Sequence, residues 1–453
     1  MDWLAFAAPM TALALAMATR SAATALFGAL WVSESLMSGL NPAMGLLFSI
    51  DRVASAVSGN AEVLLYCLSV GALIGLMDRS GGLSALVRGL MNAGVANGPR
   101  GASLTAVLSG VAIFIETNAS LLTSGLIARP LFDRFGLSRA RLAYLIDSTS
   151  APVSVLILLN GWGAFALSLM ADLQLDQPTA ILAATVPLNF YALFAVAAAV
   201  WVAVSGRPFG RETSGPEMRA AASRPGDDAS DGPEGRLIFA LAPLAVMIGG
   251  AFAFLAWTGD GDLLAGDGAR SILWAVALAA ATAGALTVLA KRFNGREVAA
   301  VAGQGVAAMG PSVLVILLAL ALSGSLRELG LGAFIAQLAA GPAPSFALPA
   351  LIFLATGLMS LTTGTSWGSY GIMIPLAMPL ALAAGVSPSL ALAAILGGGV
   401  FGDHCSPISD TTVIAALAAD CDALEHVRTQ APYAAGAGLL ALLAYLIAGA
   451  LTV

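Results

Sequence analysis

Charge is what this sequence has least of. Of its 453 residues only 10% are Asp, Glu, Lys or Arg, while 58% are hydrophobic. A water-soluble domain carries about a quarter charged residues, so that class is excluded. The mean hydropathy of +0.89 agrees. Cysteine is nearly as scarce. Cys67, Cys405 and Cys421 are odd in number and lie in or near apolar segments, with neither a disulfide framework nor zinc-ligand spacing. No basic patch with interleaved aromatics is present, which excludes nucleic acid as a partner. The N-terminal "MDWLAFAAPMTALALAMATR" lacks the basic n-region of a cleavable signal peptide and reads as a first membrane helix. His404 and Cys405 are adjacent, a poor arrangement for a nucleophile and its base, so the sequence predicts no enzyme and no cofactor.

What is present is apolar run after apolar run. The sequence predicts an all-α polytopic membrane protein resting in a lipid bilayer, with room for roughly 10–13 transmembrane segments. One stretch stands outside the bilayer. Residues 205–236, "SGRPFGRETSGPEMRAAASRPGDDASDGPEGR", are rich in Gly, Pro, Ser and charge and read as a linker. The arginines there and in 129–141 place both segments in the cytoplasm, and the acidic loops near 171–177 and 259–270 on the other side. The chain therefore divides into a membrane half 1–204, the linker 205–236 and a membrane half 237–453.

The halves share a pattern. "IETNASLLTSGLIARPLFDRFGLSRARLAYLIDSTSAPVS" and "LTTGTSWGSYGIMIPLAMPLALAAGVSPSLALAAILGGGVFGDHCSPIS" run through the same parts: a Thr/Ser-rich stretch, a helix with a Pro-Leu pair, a Gly turn, a second helix, and an aspartate leading into Ser-Pro or Ser-Ala-Pro. The Gly136 turn is flanked by arginines and the Gly385 turn by no charge. Opposite loop character predicts two inverted-topology repeats with broken helices or re-entrant hairpins, an architecture of secondary transporters. The breaks are expected near 113–125, 147–165, 360–371 and 402–412.

Polar atoms concentrate at those breaks. Glu34, Glu62, Glu116, Asp147, Asp403 and Asp410 fall at membrane depth with few basic residues nearby. Such an acid is either protonated or holds a cation together with hydroxyls and carbonyls. A site alternating between the two states exchanges a proton for a metal ion. In "GDHCSPISDTT" (402–412), Gly402 and Pro407 interrupt the helix, and Asp403, Ser406, Ser409, Asp410, Thr411 and Thr412 supply oxygens. "DSTSAPVS" (147–154) offers Asp147, Ser148 and Thr149 in a similar arrangement, "ETNAS" offers Glu116 and Asn118, and "TTGTSWG" offers Thr363, Thr365 and Ser366. Helix N-capping is the structural alternative for Asp147 and Asp403.

"GVFGDHCSPISDTT" with "CDALEHVRTQAPYA", together with "LTTGTSWGSYGIMIPLAMPLA" and "RLAYLIDSTSAPVS", resembles the NhaC-type sodium/proton antiporter family of the ion transporter superfamily. The resemblance implies a homodimeric secondary transporter of the bacterial inner membrane that exchanges sodium for protons by alternating access. Sodium is then the transported or coupling ion. Asp403, Asp410, Asp147 and Glu116 become its expected carboxylate ligands. Two departures fall in the first repeat. Thr117 stands where many members have a second acid, and Asn160-Gly161 precedes Trp162-Gly163 where they have Ser-Ser. Fewer carboxylates leave open an alternative, a sodium- or proton-coupled carrier of a small organic solute such as a carboxylate, an amino acid or a drug.

Overall fold

The computed structural model describes residues 7–19, 21–59, 61–90, 98–207, 235–263, 266–330, 345–407 and 409–452. Residues 208–234 of the linker, and residues 331–344, lie outside the described residues. The described residues form helices and connecting turns with no strand. In the hydrocarbon core every backbone donor and acceptor must pair within its own segment, and an apolar chain satisfies that as helix.

The first half comprises α1 (Ala7–Thr19), α2 (Ala22–Met37), α3 (Pro42–Gly59), α4 (Ala61–Arg79), α5 (Gly82–Leu90), α6 (Gly98–Ala112), α7 (Thr117–Arg134), α8 (Arg139–Leu156), α9 (Gly161–Asp172), α10 (Pro178–Ala184) and α11 (Phe190–Ser205). The second half comprises α12 (Ile238–Thr258), α13 (Gly268–Leu289), α14 (Gly295–Ala308), α15 (Gly310–Glu328), α16 (Leu348–Thr363), α17 (Ser366–Ala383), α18 (Pro388–Cys405), α19 (Asp410–Ala419) and α20 (Ala423–Thr452). Among them, 4 helices are long and apolar enough to cross a membrane singly, and 8 spans result when each bent pair counts as one. The four pairs are bent by 66° between α3 and α4, 41° between α8 and α9, 44° between α10 with its 3-10 extension and α11, and 50° between α14 and α15. The chain is a multi-pass membrane protein; of these bends only the one between α8 and α9 falls where the sequence placed a break, while the other expected intervals hold the gaps between α6 and α7, α16 and α17, and α18 and α19.

The helices sort into two bundles. A frame is made of α1–α4 and α12–α15: α1 packs on α2, α12 on α13, and α4 against both α13 and α14, while α2 and α3 pack on α15. A core is made of two hairpins and the helices after them. In one, α6, α7 and α8 pack mutually; in the other, α16, α17 and α18 do. The partnerships are reciprocal. The α7 arm of the first hairpin packs on α19 of the second half, and the α17 arm of the second packs on α9 of the first. Likewise α11 reaches α18 while α20 reaches α8. Reciprocity of this kind is what two repeats related by a two-fold axis require.

The register of the repeat differs from the one the motifs suggest. Helices α7 and α17 begin at Thr117 and Ser366, 249 positions apart (366 − 117), and both are 18 residues long. The same offset relates the left-handed Gly136 and Gly385, the N-caps Ser138 and Ser387, the two ends of α8 and α18, and the starts of α9 and α19. It matches Asp403 to Ser154 and Asp147 to Leu396. "DSTSAPVS" thus corresponds to "LGGGVFGD" rather than to "GDHCSPIS", a shift of two helical turns. What the segments share is smallness. A Cβ on Gly402 would lie 2.3 Å from the Gly357 carbonyl oxygen, and one on Gly398 2.5 Å from that of Phe353. Helix α18 therefore runs in backbone contact with α16.

Candidate functional site

The second hairpin turns at Gly364, whose φ of 70° ends α16 in the left-handed region. Thr365 then caps α17 with an extended backbone. Opposite this tip, α18 stops at Cys405 because Pro407 cannot continue the ladder. Asp403 sits in the last turn of α18 and is fully buried. Ser360 Oγ donates to its Oδ1 at 2.8 Å, Ser366 N donates to Oδ2 at 3.2 Å, and Ser366 Oγ donates to the same oxygen. One carboxylate thus takes three donors from both arms of the hairpin, with no basic side chain paired to it. Around it, Thr412 Oγ1 donates to the Asp403 carbonyl at 3.0 Å, Ser406 Oγ to the Leu361 carbonyl at 2.9 Å, and Asp410 N to the Gly364 carbonyl at 3.2 Å. Ser409 and Thr411 share a hydrogen bond of 3.1 Å between their hydroxyls. Asp403, Ser406, Ser409, Asp410, Thr411, Thr412, Thr365 and Ser366 are brought together as one oxygen-rich knot. Thr363 closes α16, and its side chain lies outside what is described.

The first hairpin has the same shape with different chemistry. Thr117, the counterpart of Ser366, donates from Oγ1 to Ser154 Oγ at 3.4 Å and accepts from Trp162 Nε1 at 3.2 Å. The break is stitched by Asn160. Its Nδ2 donates to the carbonyls of Ser154 at 2.6 Å, Ile157 at 2.8 Å and Phe114 at 3.3 Å, and its Oδ1 accepts from Trp162 N at 3.0 Å. The tip carries Glu116, whose Oε1 accepts from Asn118 N at 2.9 Å at the N-terminus of α7. A carboxylate there meets the positive end of the helix dipole.

Both tips and both helix restarts open on one cavity between core and frame. Its volume is about 40 Å³ measured to water centres, space for a few waters. The core contributes Glu116, Asn118, Trp162, Trp367, Asp410 and Thr411; the frame contributes Tyr66, Cys67 and Val70 of α4 with Met309 and Ile316 beside and within α15. Trp162 stacks on Trp367 with ring centroids 4.4 Å apart. Asp403 is not in the wall and lies behind it.

Asp147 does not join this knot. It sits inside α8, not at an N-cap, and Asp403 likewise lies within α18 rather than capping a helix. Gln430 Nε2 donates to Asp147 Oδ2 at 2.8 Å, and His426 Nε2 is 3.2 Å from the same oxygen. Gln430 also donates to the His404 carbonyl at 3.2 Å, and His404 Nδ1 is 2.8 Å from the Tyr191 hydroxyl. Of its neighbours in the sequence motif, Ser148 is buried within α8 and Thr149 bonds back to the Leu145 carbonyl at 2.7 Å. The four acids Asp403, Asp410, Asp147 and Glu116 therefore do not surround one point. Among the described residues no three His, Cys, Asp or Glu side chains converge as metal ligands. Glu34 and Glu62 lie elsewhere, ion-paired to Arg52 at 2.8 Å and to Arg270 at 2.9 Å. Asp420 pairs with Arg139.

Sequence reasoning missed Ser360, Tyr66, His426 and Gln430. His426 and Gln430, in the polar stretch "HVRTQ", are fully buried. Their spacing of four residues, one face of a helix, was the available signal.

Comparison with known proteins agrees with this geometry. An uncharacterized protein of Haemophilus influenzae is 28% identical over 97% of this chain and 89% of its own length. The malate-2H(+)/Na(+)-lactate antiporter of Bacillus subtilis is 40% identical, over 18% of this chain and 19% of its own. The solved structure of Neisseria gonorrhoeae MtrF, described as illuminating a class of antimetabolite efflux pumps, superposes with a TM-score of 0.57 at 18% identity, covering 89% of this chain and 84% of that one. At that identity the likeness speaks for the fold. The model of the Na+/H+ antiporter family matches residues 155–450, from the first helix break almost to the end of α20. This chain is a secondary transporter and belongs to the Na+/H+ antiporter family.

Proposed function

We propose that the protein exchanges sodium for protons by alternating access, with Asp403 as the carboxylate for which the two ions compete. The observation that carries this is the buried Asp403 carboxylate, held by three hydroxyl and amide donors and no cation. A desolvated carboxylate without a positive partner must take one up, as a proton or as a metal ion. Ser360 and Ser366 orient it. Ser406, Ser409, Thr411, Thr412 and the carbonyls freed at the break complete an oxygen shell of the kind a hard cation prefers. Asp410 and Glu116 stand at the cavity through which the ion arrives, with Asn118 and Thr365 beside them. Because the cavity lies on the seam between frame and core, movement of one bundle against the other would expose it to either side. The protein sits in the bacterial inner membrane as a homodimer with 205–236 in the cytoplasm. A second reading, an ion-coupled carrier of a small organic solute, is favoured by one feature: the aromatic pair Trp162 and Trp367 in the cavity wall.

The test uses purified protein in liposomes loaded with a pH-sensitive dye. With a proton gradient imposed, external sodium or lithium is expected to dissipate it, and potassium is not. Asp403→Asn should abolish the response. A wild-type protein that ignores all three cations would refute the exchange reading.

A further inference from the structure

The Asp403 knot is closed, so it does not explain why an open, aromatic-walled cavity lies in front of it. Two carboxylates face that cavity, Glu116 from the first repeat and Asp410 from the second, and no residue in its wall is basic. Three rings share the wall. Trp162 and Trp367 are stacked, and Tyr66 approaches from the frame: a Cβ on Gly161 would meet Trp367 at 3.0 Å and Tyr66 at 3.3 Å. The Tyr66 hydroxyl is the independent sign of a ligand. The residue is 1% exposed, and its hydroxyl has no hydrogen-bond partner among the described residues. A buried hydroxyl without a partner is costly, and a ligand N–H or O–H entering the cavity would satisfy it. Tyr66 and Glu116 line the same cavity.

We propose that this cavity is a binding site for a small organic cation, entering with its ammonium group between Glu116 and Asp410, its carbon chain on the tryptophan rings and its N–H toward the Tyr66 hydroxyl. Ammonium groups are held by aromatic faces and by carboxylates, and desolvation strengthens both. A carboxylate solute would meet two like charges and no counter-charge, which disfavours it by several kcal/mol at such range. The cavity size suits a headgroup of three or four heavy atoms, with any longer tail extending along the seam. The inference rests on the antiporter reading in one respect only: the inorganic ion occupies Asp403, which leaves the cavity for a second solute.

The test is binding, made without any ion gradient. Purified full-length protein in sodium-free potassium phosphate is titrated calorimetrically with n-propylammonium and with acetate, which have equal heavy-atom counts and opposite charge. Propylammonium is expected to bind at least about tenfold tighter than acetate. Glu116→Gln should weaken it about tenfold or more, Tyr66→Phe several-fold, and Arg139→Gln, at the outer turn of the first hairpin, not at all. Tyr66→Phe keeps the ring and serves if Glu116→Gln fails to fold. Acetate binding as well as propylammonium, or neither binding at millimolar concentration, overturns the proposal. So does unaltered propylammonium binding in both cavity variants. Failure of sodium exchange in liposomes would sink the previous reading and leave this result standing.

Discussion

The two hairpins of the core have one backbone and two chemistries. In the first, Asn160 closes the helix break with a neutral amide, giving its two protons to three carbonyls. In the second, Asp403 closes the corresponding junction with a carboxylate that only accepts. Ser154 stands where Asp403 would be, and Gly161 where Asp410 would be. The first junction is therefore closed by neutral groups, while the second holds a buried carboxylate that, on the function proposed above, a cation completes. The comparison teaches that in this chain the repeat supplies the geometry twice and a buried junction carboxylate once.

Four substitutions test that contrast, in order of expected effect. Asp403→Asn should reduce sodium-driven proton movement at least about 100-fold, as loss of a group that holds a cation does at its upper range. Proteoliposome flux measures it, and substantial residual exchange would move the ion site elsewhere. Asn160→Leu should act on stability instead. It strips the Ser154 and Ile157 carbonyls of this donor and leaves the Phe114 carbonyl with Ser154 Oγ alone, at about 1–3 kcal/mol for each buried group left unsatisfied. Thermal unfolding in detergent should show a clear drop, while sodium binding to the folded fraction persists. Loss of binding with unchanged stability would erase the distinction between the hairpins. Gly402→Ala presses a methyl onto the Gly357 carbonyl and should cost about 1–3 kcal/mol by overpacking, again by thermal unfolding. It would displace Asp403 next door, so a parallel fall in sodium affinity is expected. Arg139→Gln should matter least, below about 1 kcal/mol, because its partners Asp133 and Asp420 are largely exposed. A larger loss would mean that the arginine-flanked turn of the first hairpin contributes more than its charge pattern suggests.

Much of this was legible in the residues. The polar interruptions of apolar runs gave the breaks, because backbone can leave the helix in lipid only where other groups satisfy it. "GDHCSPISDTT" and "TTGTSWG" gave the knot, because their hydroxyls had no other use at that depth. Asp147 was misplaced for a definite reason. "DSTSAPVS" and "GDHCSPIS" look alike, but the similarity lies two helical turns out of register, and side-chain direction repeats every 3.6 residues. Ser360 was invisible because it looks like any serine in an apolar helix. The Asp147–His426–Gln430 cluster joins residues nearly 300 positions apart, and no local pattern reports such a meeting.

The constant offset between the hairpins bears on how this protein tolerates change. From Thr117 to Gly161, and from Ser366 to Asp410, the halves keep equal length while few letters agree. Adding one residue inside α8 or α18 would turn everything after it by about 100°. Ser154 or Asp403 would then swing off its junction and onto another face of the bundle. Substitutions have been absorbed freely across this segment, but an insertion or deletion would misalign every bond that closes the hairpin. Variation among relatives should therefore concentrate in composition here and in length only at the outer loops, so a gap inside the hairpin would mark a protein that has lost the site.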